Sequence, residues 1–184
     1  MSLHLRPTTA ADLPRLTEWE SALHTAVFLG EIGAAWHERA LADPRQGHLV
    51  AERDGEPFAF AVLAGLGRAP DQADQVDRGD PADRAGRVDP VDRAGRGDPM
   101  DRVDRVLEIR RLVVAPERRG AGVGRALLRA VRDRAYLDHR ADRVWLDVRS
   151  GNARARRLYE SEGFMVTSRD VGEDLLIMFH RGCG

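Results

Sequence analysis

The sequence predicts an α/β protein, and three segments carry the prediction. The apolar, β-branched segment Val106–Val114 is followed by a glycine-rich turn and a helical pattern of apolar residues. A second strand, Val144–Val148, precedes another turn and another helix. Earlier in the chain, His48–Arg53 and Phe58–Leu66 flank Asp54-Gly55-Glu56-Pro57, which is the pattern of a β-hairpin. Strand–turn–helix units combined with a hairpin predict a β-sheet flanked by helices.

Length and charge narrow the class of protein. The 184 residues are expected to form one domain, 1–184, with a sizeable core. The net charge is −1, so no electrostatic feature suggests a nucleic-acid partner. A single cysteine, Cys183, predicts neither a disulfide framework nor a metal site. Because no apolar run has membrane length and no signal-peptide pattern is present, we expect a cytoplasmic protein with no membrane partner.

The first 45 residues predict one strand and two helices. Leu3–Pro7 is a short strand, and Thr8 or Thr9 can cap a helix that runs to about Thr25. A second helix is predicted from Glu31 to Ala42, because Asp43-Pro44 disfavours its continuation.

Residues 68–105 differ abruptly from the rest of the chain. Three copies of a nine-residue repeat begin at Asp80, Asp89 and Asp98, and each carries a proline at its second position. Alternating aspartate and arginine leave few side chains for a core. We expect a low-complexity insertion, disordered or looped. The alternative is a lid or partner-binding arm at the substrate mouth.

The turn Arg119-Gly120-Ala121-Gly122-Val123-Gly124-Arg125 predicts a pyrophosphate site. Three glycines let the main chain curl around a ligand, and the helix start supplies unpaired N–H groups and a positive dipole end. Arg119 and Arg125 add positive charge. A P-loop is excluded because the chain contains no lysine, and the third glycine of a dinucleotide fingerprint would fall at Arg125.

Two motifs resemble those of the GNAT superfamily of N-acetyltransferases. Arg119, Gly122 and Gly124 fill its acetyl-CoA signature, [RQ]-x-x-G-x-[GA]. A second block, in the family's order and spacing, matches N-x-x-A-x-x-L-Y-x-x-x-G-F. Its residues are Asn152, Ala155, Leu158, Tyr159, Gly163 and Phe164. The resemblance covers about residues 106–164.

The resemblance implies a fold, a co-substrate and a set of binding groups. The fold is a mixed, mostly antiparallel, splayed sheet of six to seven strands flanked by about four helices, closed by strands near Phe164–Arg169 and Asp174–His180. Acetyl-CoA is the implied co-substrate, with no metal. Its pantetheine arm would pair with backbone groups of Leu112, Val113 and Val114 in the splay. Asn152 would contact CoA or a water while capping its helix. Dimerisation is common among similar proteins, so a homodimer is an expectation.

Transfer of an acetyl group from a thioester to an amine requires a neutral amine and a protonated or hydrogen-bonded leaving thiolate. Tyr159 is the candidate acid, because it lies two helical turns after Asn152 and both can face the cofactor. The alternative is a tyrosine packed in the core beside Leu158.

Two carboxylates compete as the general base. Glu108 lies on the strand before the glycine turn, where histone-type members of the family carry their base. Asp147 lies in Trp145-Leu146-Asp147, where ribosomal-protein alanine acetyltransferases show a glutamate in a similar string. Alternation along the strand puts Glu108 on one face with Arg110, Leu112 and Val114. Salt bridges could explain either carboxylate, and water alone could serve as the base.

The acceptor is expected to be a primary amine of a small molecule, of polyamine or aminosugar type. A protein N-terminus is the alternative acceptor, and a non-catalytic acyl-CoA sensor is the alternative class. The acceptor pocket is expected near the first helices, at Trp19, Phe28, Glu31, Trp36 and Glu38. The six histidines show no ligand spacing and are expected at the surface or as ordinary core residues.

Overall fold

The computed structural model describes residues 3–66 and 105–182, with the backbone alone for Leu23 and His24. The described strands form one seven-stranded sheet in the order β1-β2-β3-β4-β5-β7-β6. Every neighbouring pair is antiparallel except β4–β5, which is parallel. The strands are β1 His4–Pro7, β2 Gln46–Arg53, β3 Glu56–Ala64, β4 Val106–Val114, β5 Arg143–Arg149, β6 Met165–Asp170 and β7 Leu175–Arg181. The predicted mixed, mostly antiparallel sheet is confirmed.

Four helices of nine residues or more and one single turn of helix flank the sheet in the described ranges. They are α1 Leu13–Ser21, α2 Leu23–Ala26, α3 Ala34–Ala42, α4 Val123–Leu137 and α5 Ala153–Ser161. The apolar side of α4, including Leu127 and Val131, packs with Leu107, Ile109 and Val144 of the sheet. On the opposite face, Leu13, Leu16 and Trp19 of α1 pack with Phe60 and Val113. The core therefore has two layers, one on each side of the sheet.

The predicted first helix is divided in the structure. A short 3₁₀ turn, Ala10–Asp12, precedes α1, and the extended backbone of Ala22, with ψ of 128°, separates α1 from α2. The second helix begins at Ala34 rather than Glu31, because Gly33 adopts φ of +105°. Its end at Ala42 is as predicted.

Most other boundaries agree with the prediction to within two residues. The β2–β3 hairpin turns at Asp54 and Gly55, whose φ values of 53° and 79° are those of a type I′ turn. The strand Val106–Val114 has the predicted bounds.

The repeat predicted as an insertion, 68–105, lies outside the described residues apart from Arg105. Within the described ranges, no helix combines the length and the apolar character needed to cross a bilayer.

Candidate active site

The parallel strands β4 and β5 separate after a short paired segment. Their pairing covers only Val106–Glu108 against Arg143–Trp145. Beyond these residues β4 pairs only with β3, and β5 pairs only with β7. The C-terminal half of β4 therefore presents one edge of backbone groups to an opening in the middle of the sheet, and the predicted splay is confirmed.

A β-bulge in β4 decides which side chains share a face. Val62 pairs with Arg111 and Leu63 with Ile109, so Arg110 is an additional residue in the strand. Leu112 consequently packs on the α4 side of the sheet with Ile109, whereas Arg111 points to the α1 side. The prediction that Glu108 shares a face with Leu112 and Val114 is wrong, because the bulge reverses the alternation between them.

Along β4, successive residues direct their backbone N–H and C=O groups alternately towards β3 and towards the opening. Ala115 N donates to Phe58 O at 2.9 Å, towards β3. Alternation then assigns the N–H and C=O groups of Val113 to β3 and those of Leu112 and Val114 to the opening. Of the three residues predicted to pair with pantetheine, two have backbone groups on the open edge.

The glycine turn lies between the end of β4 and the start of α4. Gly120, Ala121 and Gly122 have φ values of 95°, 43° and 78°, and Gly122 is the N-cap of α4. A Cβ built on Gly120 or Gly122 meets no heavy atom within 4 Å, so both glycines border open space. A Cβ on Gly124 instead lies 3.6 Å from Leu158 Cδ2, which is ordinary packing contact. Val123 N donates to Gly120 O at 3.1 Å, so the N–H groups that the first turn of α4 leaves unpaired are those of Gly124 and Arg125.

The two arginines of the turn are engaged by protein groups. Arg119 donates from Nε to the carbonyl of Val114 at 3.2 Å and from Nη2 to the hydroxyl of Thr25 in α2. Arg125 lies 2.9 Å from the carboxylate of Glu162, which also receives Arg129 at 2.6 Å. The charge of Arg125 is therefore shared with Glu162 at the end of α5.

Glu108 is buried and bound by its neighbour. Arg110 donates to Glu108 Oε2 from Nε at 3.1 Å and from Nη2 at 2.9 Å. Charge-assisted hydrogen bonds of this kind are among the stronger ones in proteins. One oxygen of this candidate base is therefore committed to Arg110.

Asp147 and Tyr159 lie on opposite faces of the sheet. Val144, Leu146 and Val148 pack on the α4 side, so Asp147 lies on the other side, which it shares with Trp145. Tyr159, in α5, packs against the α4-side cluster. Burial raises the pKa of Asp147, while the charges of Arg110 and Arg149 lower it in part. Burial and the negative charge of Asp147 raise the pKa of Tyr159 to about 12. Electrostatic coupling thus links two residues that were predicted independently.

Asn152 is the N-cap of α5. Its Oδ1 accepts a hydrogen bond from Ala155 N at 3.1 Å, which confirms the predicted cap. Further along α5, the Tyr159 ring lies 6.1 Å from the Phe164 ring. Among the described residues the Tyr159 hydroxyl has no hydrogen-bond partner. The helix start and the core contact fix the direction of α5 and leave that hydroxyl available to a ligand.

A buried polar cluster on the α1 side was not predicted. Glu20 and His37 are fully buried, and His48 and Arg111 are nearly so. His37 Nδ1 lies 2.9 Å from His48 Nε2, and His48 Nδ1 lies 2.9 Å from the Thr8 hydroxyl. The prediction that the histidines are surface or ordinary core residues misses this network. Among the described residues no group of histidine, cysteine or carboxylate side chains could hold a metal.

The remaining predicted acceptor residues are dispersed. Trp19 belongs to the α1-side core, and Trp36 packs beneath Arg111. Phe28 and Glu31 are exposed in the connection between α2 and α3, and Glu38 is exposed on α3. Their side chains therefore lie in different surroundings, two in the core and three at the surface.

An open mixed sheet with a glycine turn at a helix start is the arrangement expected of a protein that binds the diphosphate of a nucleotide. Residues 13–164 match the model of the Acetyltransferase (GNAT) family. The chain therefore belongs to this family of N-acetyltransferases, which use acetyl-CoA as acetyl donor.

Several solved structures share the fold. A spermidine N-acetyltransferase from Vibrio cholerae, in complex with CoA and spermine, is 16% identical with a TM-score of 0.70, over 97% of this chain and 95% of that one. An aminoglycoside acetyltransferase in complex with coenzyme A is 21% identical with a TM-score of 0.67, over 98% and 95%. The ribosomal-protein-S18-alanine N-acetyltransferase from Escherichia coli is 19% identical with a TM-score of 0.63, over 98% and 94%. These acceptors differ in class, so the likeness shows the fold and leaves the acceptor open.

Proposed function

We propose that the chain transfers the acetyl group of acetyl-CoA directly to a primary amine of a small molecule, of polyamine or aminosugar type. The observation that carries the proposal is the opening between β4 and β5, with Asp147 on one face of β5 and Tyr159 packed on the other face of the sheet. This arrangement supplies a carboxylate on one side of the reacting carbon and a phenol on the other. In the part of the chain that the structure describes, Thr8 beside His48 is a hydroxyl with an adjacent histidine, and both residues are buried, so we do not assign a covalent intermediate to it.

The residues of the turn fit the diphosphate of the co-substrate. Main-chain N–H groups of residues 120–124 and the start of α4 form the cradle, and open space above Gly120 and Gly122 admits the phosphates. The open-edge N–H and C=O groups of Leu112 and the N–H of Val114 are suited to the amide-rich pantetheine arm, whereas the carbonyl of Val114 accepts from Arg119. When bound, acetyl-CoA supplies the activated thioester. In this proposal Arg119 stays bonded to Val114 and Thr25 and contributes charge to the turn.

Asp147 is the better of the two candidate bases. Its raised pKa makes it more basic than an ordinary aspartate, and in the described part of the chain its side chain forms no hydrogen bond. Glu108 is less suited because Arg110 occupies its Oε2. An alkyl ammonium is neutral only about one part in 10³ at pH 7, so a carboxylate that binds the ammonium and accepts its proton assists the attack. The ion pair of Glu108 with Arg110 would then set the local charge next to Asp147.

Tyr159 acts as a hydrogen-bond donor in this proposal. With a pKa of about 12 it stays protonated throughout the neutral range. A thiol has a pKa of about 8.5 in water, so complete proton transfer from this phenol to a thiolate is uphill unless burial also raises the pKa of the thiol. A hydrogen bond from the phenol to the sulfur, strengthening as negative charge develops there, is what Tyr159 can supply. Backbone N–H groups on the open edge of β4 can serve the carbonyl oxygen in the same way.

The test is an amine panel with acetyl-CoA and detection of released thiol. The panel contains a polyamine, an aminoglycoside and a peptide with N-terminal alanine, and product masses identify the acetylated nitrogen. The proposal expects turnover with at least one of the first two at a kcat/KM at least tenfold above that for the peptide. Preference for the peptide would assign the chain to the protein N-terminal class. Tight CoA binding by calorimetry with no turnover would assign it to the sensor class.

A further inference from the structure

Glu20 is a fully buried carboxylate that joins three separate parts of the fold. It lies on α1, and its Oε1 accepts a hydrogen bond from Arg111 Nη1 of β4. Its Oε2 accepts from the backbone N–H of Gly33 at 3.2 Å, and it lies 3.2 Å from His37 Nε2 on α3. A buried carboxylate costs free energy unless it is paired and hydrogen-bonded, and here its oxygens have partners in α3, in β4 and in the chain entering α3.

Arg111, on β4, bonds to the chain segment that connects α2 with α3. It is 7% exposed, and its Nη2 donates to the carbonyl of Glu31 at 2.7 Å. Its Cζ lies 3.6 Å from the centre of the Trp36 ring, a cation–π distance. Glu31 is thus bonded to a strand 80 positions away, and Gly33 to the preceding helix α1. The C-terminal end of the α2–α3 connection is fixed to β4.

The other end of this connection is also tied to the site. Thr25 of α2 accepts a hydrogen bond from Arg119, the first residue of the glycine turn. Between the two ties, Val27, Phe28 and Ile32 are 57%, 38% and 37% exposed. This short segment therefore carries three large apolar side chains that are exposed to solvent.

The segment lies on the acceptor side of the opening. Arg111 belongs to the part of β4 beyond its last pair with β5, and its side chain is on the α1 side, as is Asp147. A segment bonded to Arg111 therefore borders the face from which Asp147 reaches the opening. The helices α4 and α5 lie on the opposite side.

We propose that Glu20 and Arg111 are positioning residues that hold segment 27–32 as the apolar wall of the acceptor site. The wall contacts the alkyl or ring carbons of the amine, and Asp147 faces its nitrogen. This inference rests on the proposed function and adds the chemistry of acceptor selection. A buried ion pair is weak evidence for a contribution to the free energy of unfolding. Such a pair can instead hold a loop in one arrangement.

The test compares the kinetic constants of Glu20→Gln and Arg111→Lys with those of wild type. Each variant is expected to raise the KM for an alkyl amine at least tenfold, with the KM for acetyl-CoA changed less than threefold. The ratio of kcat/KM for a long alkyl amine to that for methylamine should fall. Asp12→Asn is the matched control, because it removes the ion pair with Arg6 near the start of α1 and touches none of residues 27–33. It should change neither KM.

Surface variants test the apolar wall even if a buried variant does not fold, and hydrogen exchange tests the positioning role in a buried variant that does fold. Phe28→Ala and Ile32→Ala change only half-exposed side chains, and each should raise the amine KM with acetyl-CoA unaffected. Hydrogen exchange of amides 27–33 should be faster in Glu20→Gln than in wild type. An active wild type whose surface variants keep the amine KM would overturn the positioning role. A wild type inactive with every amine would overturn the proposed function instead, and exchange would still report on the loop.

Discussion

Arg110 donates two hydrogen bonds to a single oxygen of Glu108, two residues away along β4. This spacing usually places side chains on the same face of a strand, although the strand is irregular at Arg110. Its charge also lowers the pKa of Asp147, against the larger effect of burial. Arg110 thus binds Glu108, the first candidate base, and partly lowers the pKa of Asp147, the second.

Substitutions that neutralise Asp147 and Glu108 should lower kcat by different amounts. Asp147→Asn removes the proposed base, and we expect kcat to fall by about 10² to 10³-fold, the range typical of general-base catalysis. Glu108→Gln keeps an oxygen for Arg110 and should lower kcat less than about tenfold. Steady-state kinetics at saturating acetyl-CoA measure both. The reverse order of losses would make Glu108 the base.

Tyr159→Phe removes one hydroxyl and keeps the ring against Phe164. We expect kcat to fall about 10²-fold, because one donor to developing charge is lost, while the Kd for CoA changes by less than about threefold. Calorimetry gives the Kd and the thiol assay gives kcat. Equal losses in both quantities would make Tyr159 a packing residue.

Gly122 and Gly124 should differ although both fill the family signature. Gly122 has φ of +78°, so Gly122→Val strains the backbone at the cradle and should weaken CoA binding at least tenfold. Gly124→Ala places a methyl in ordinary contact with Leu158 and should raise the Tm, since alanine favours a helix over glycine by about 1 kcal/mol. Calorimetry and thermal melts test both variants, and intact CoA binding in Gly122→Val would contradict the assignment of the cradle.

His48 should make the fold less stable in mild acid. Burial, followed by the charge of His37, lowers the pKa of His48 from its usual 6.5 to about 4. The unfolded chain binds a proton below pH 6.5 and the native chain does not until about pH 4, so the free energy of unfolding falls as pH drops through this window. The loss from this group is at most about 3 kcal/mol. Denaturant unfolding at pH 7 and 4.5 should show a smaller drop in His48→Gln than in wild type, whereas equal drops would refute the linkage.

Local sequence patterns were sufficient to predict the strands and helices next to the expected cofactor site. Val106–Val114 was predicted to its exact bounds because a β-branched run ends at a proline-marked turn, and the cap at Asn152 follows from residue type. The extended backbone at Ala22 has no comparable signal in the sequence. The bulge at Arg110 is also hidden, because an extra residue in a strand changes faces without changing composition.

The buried cluster on the α1 side could not be predicted for a different reason. Glu20 and Arg111 are 91 positions apart, and only the packing of α1 against β4 brings them together. A charged residue in an apolar strand, such as Arg111, signals that a partner exists but does not identify it. The same limit applies to His37 and His48, whose contact depends on where α3 lies against β2.

A crystal structure of the chain with CoA bound measures the central relationship directly, through the distance from the CoA sulfur to the Tyr159 hydroxyl. We expect the diphosphate on the main chain of residues 120–124 and the sulfur within hydrogen-bond reach of that hydroxyl, about 3.5 Å. A CoA molecule bound away from the turn, or a sulfur more than about 6 Å from the phenol, beyond any hydrogen bond, would contradict the account.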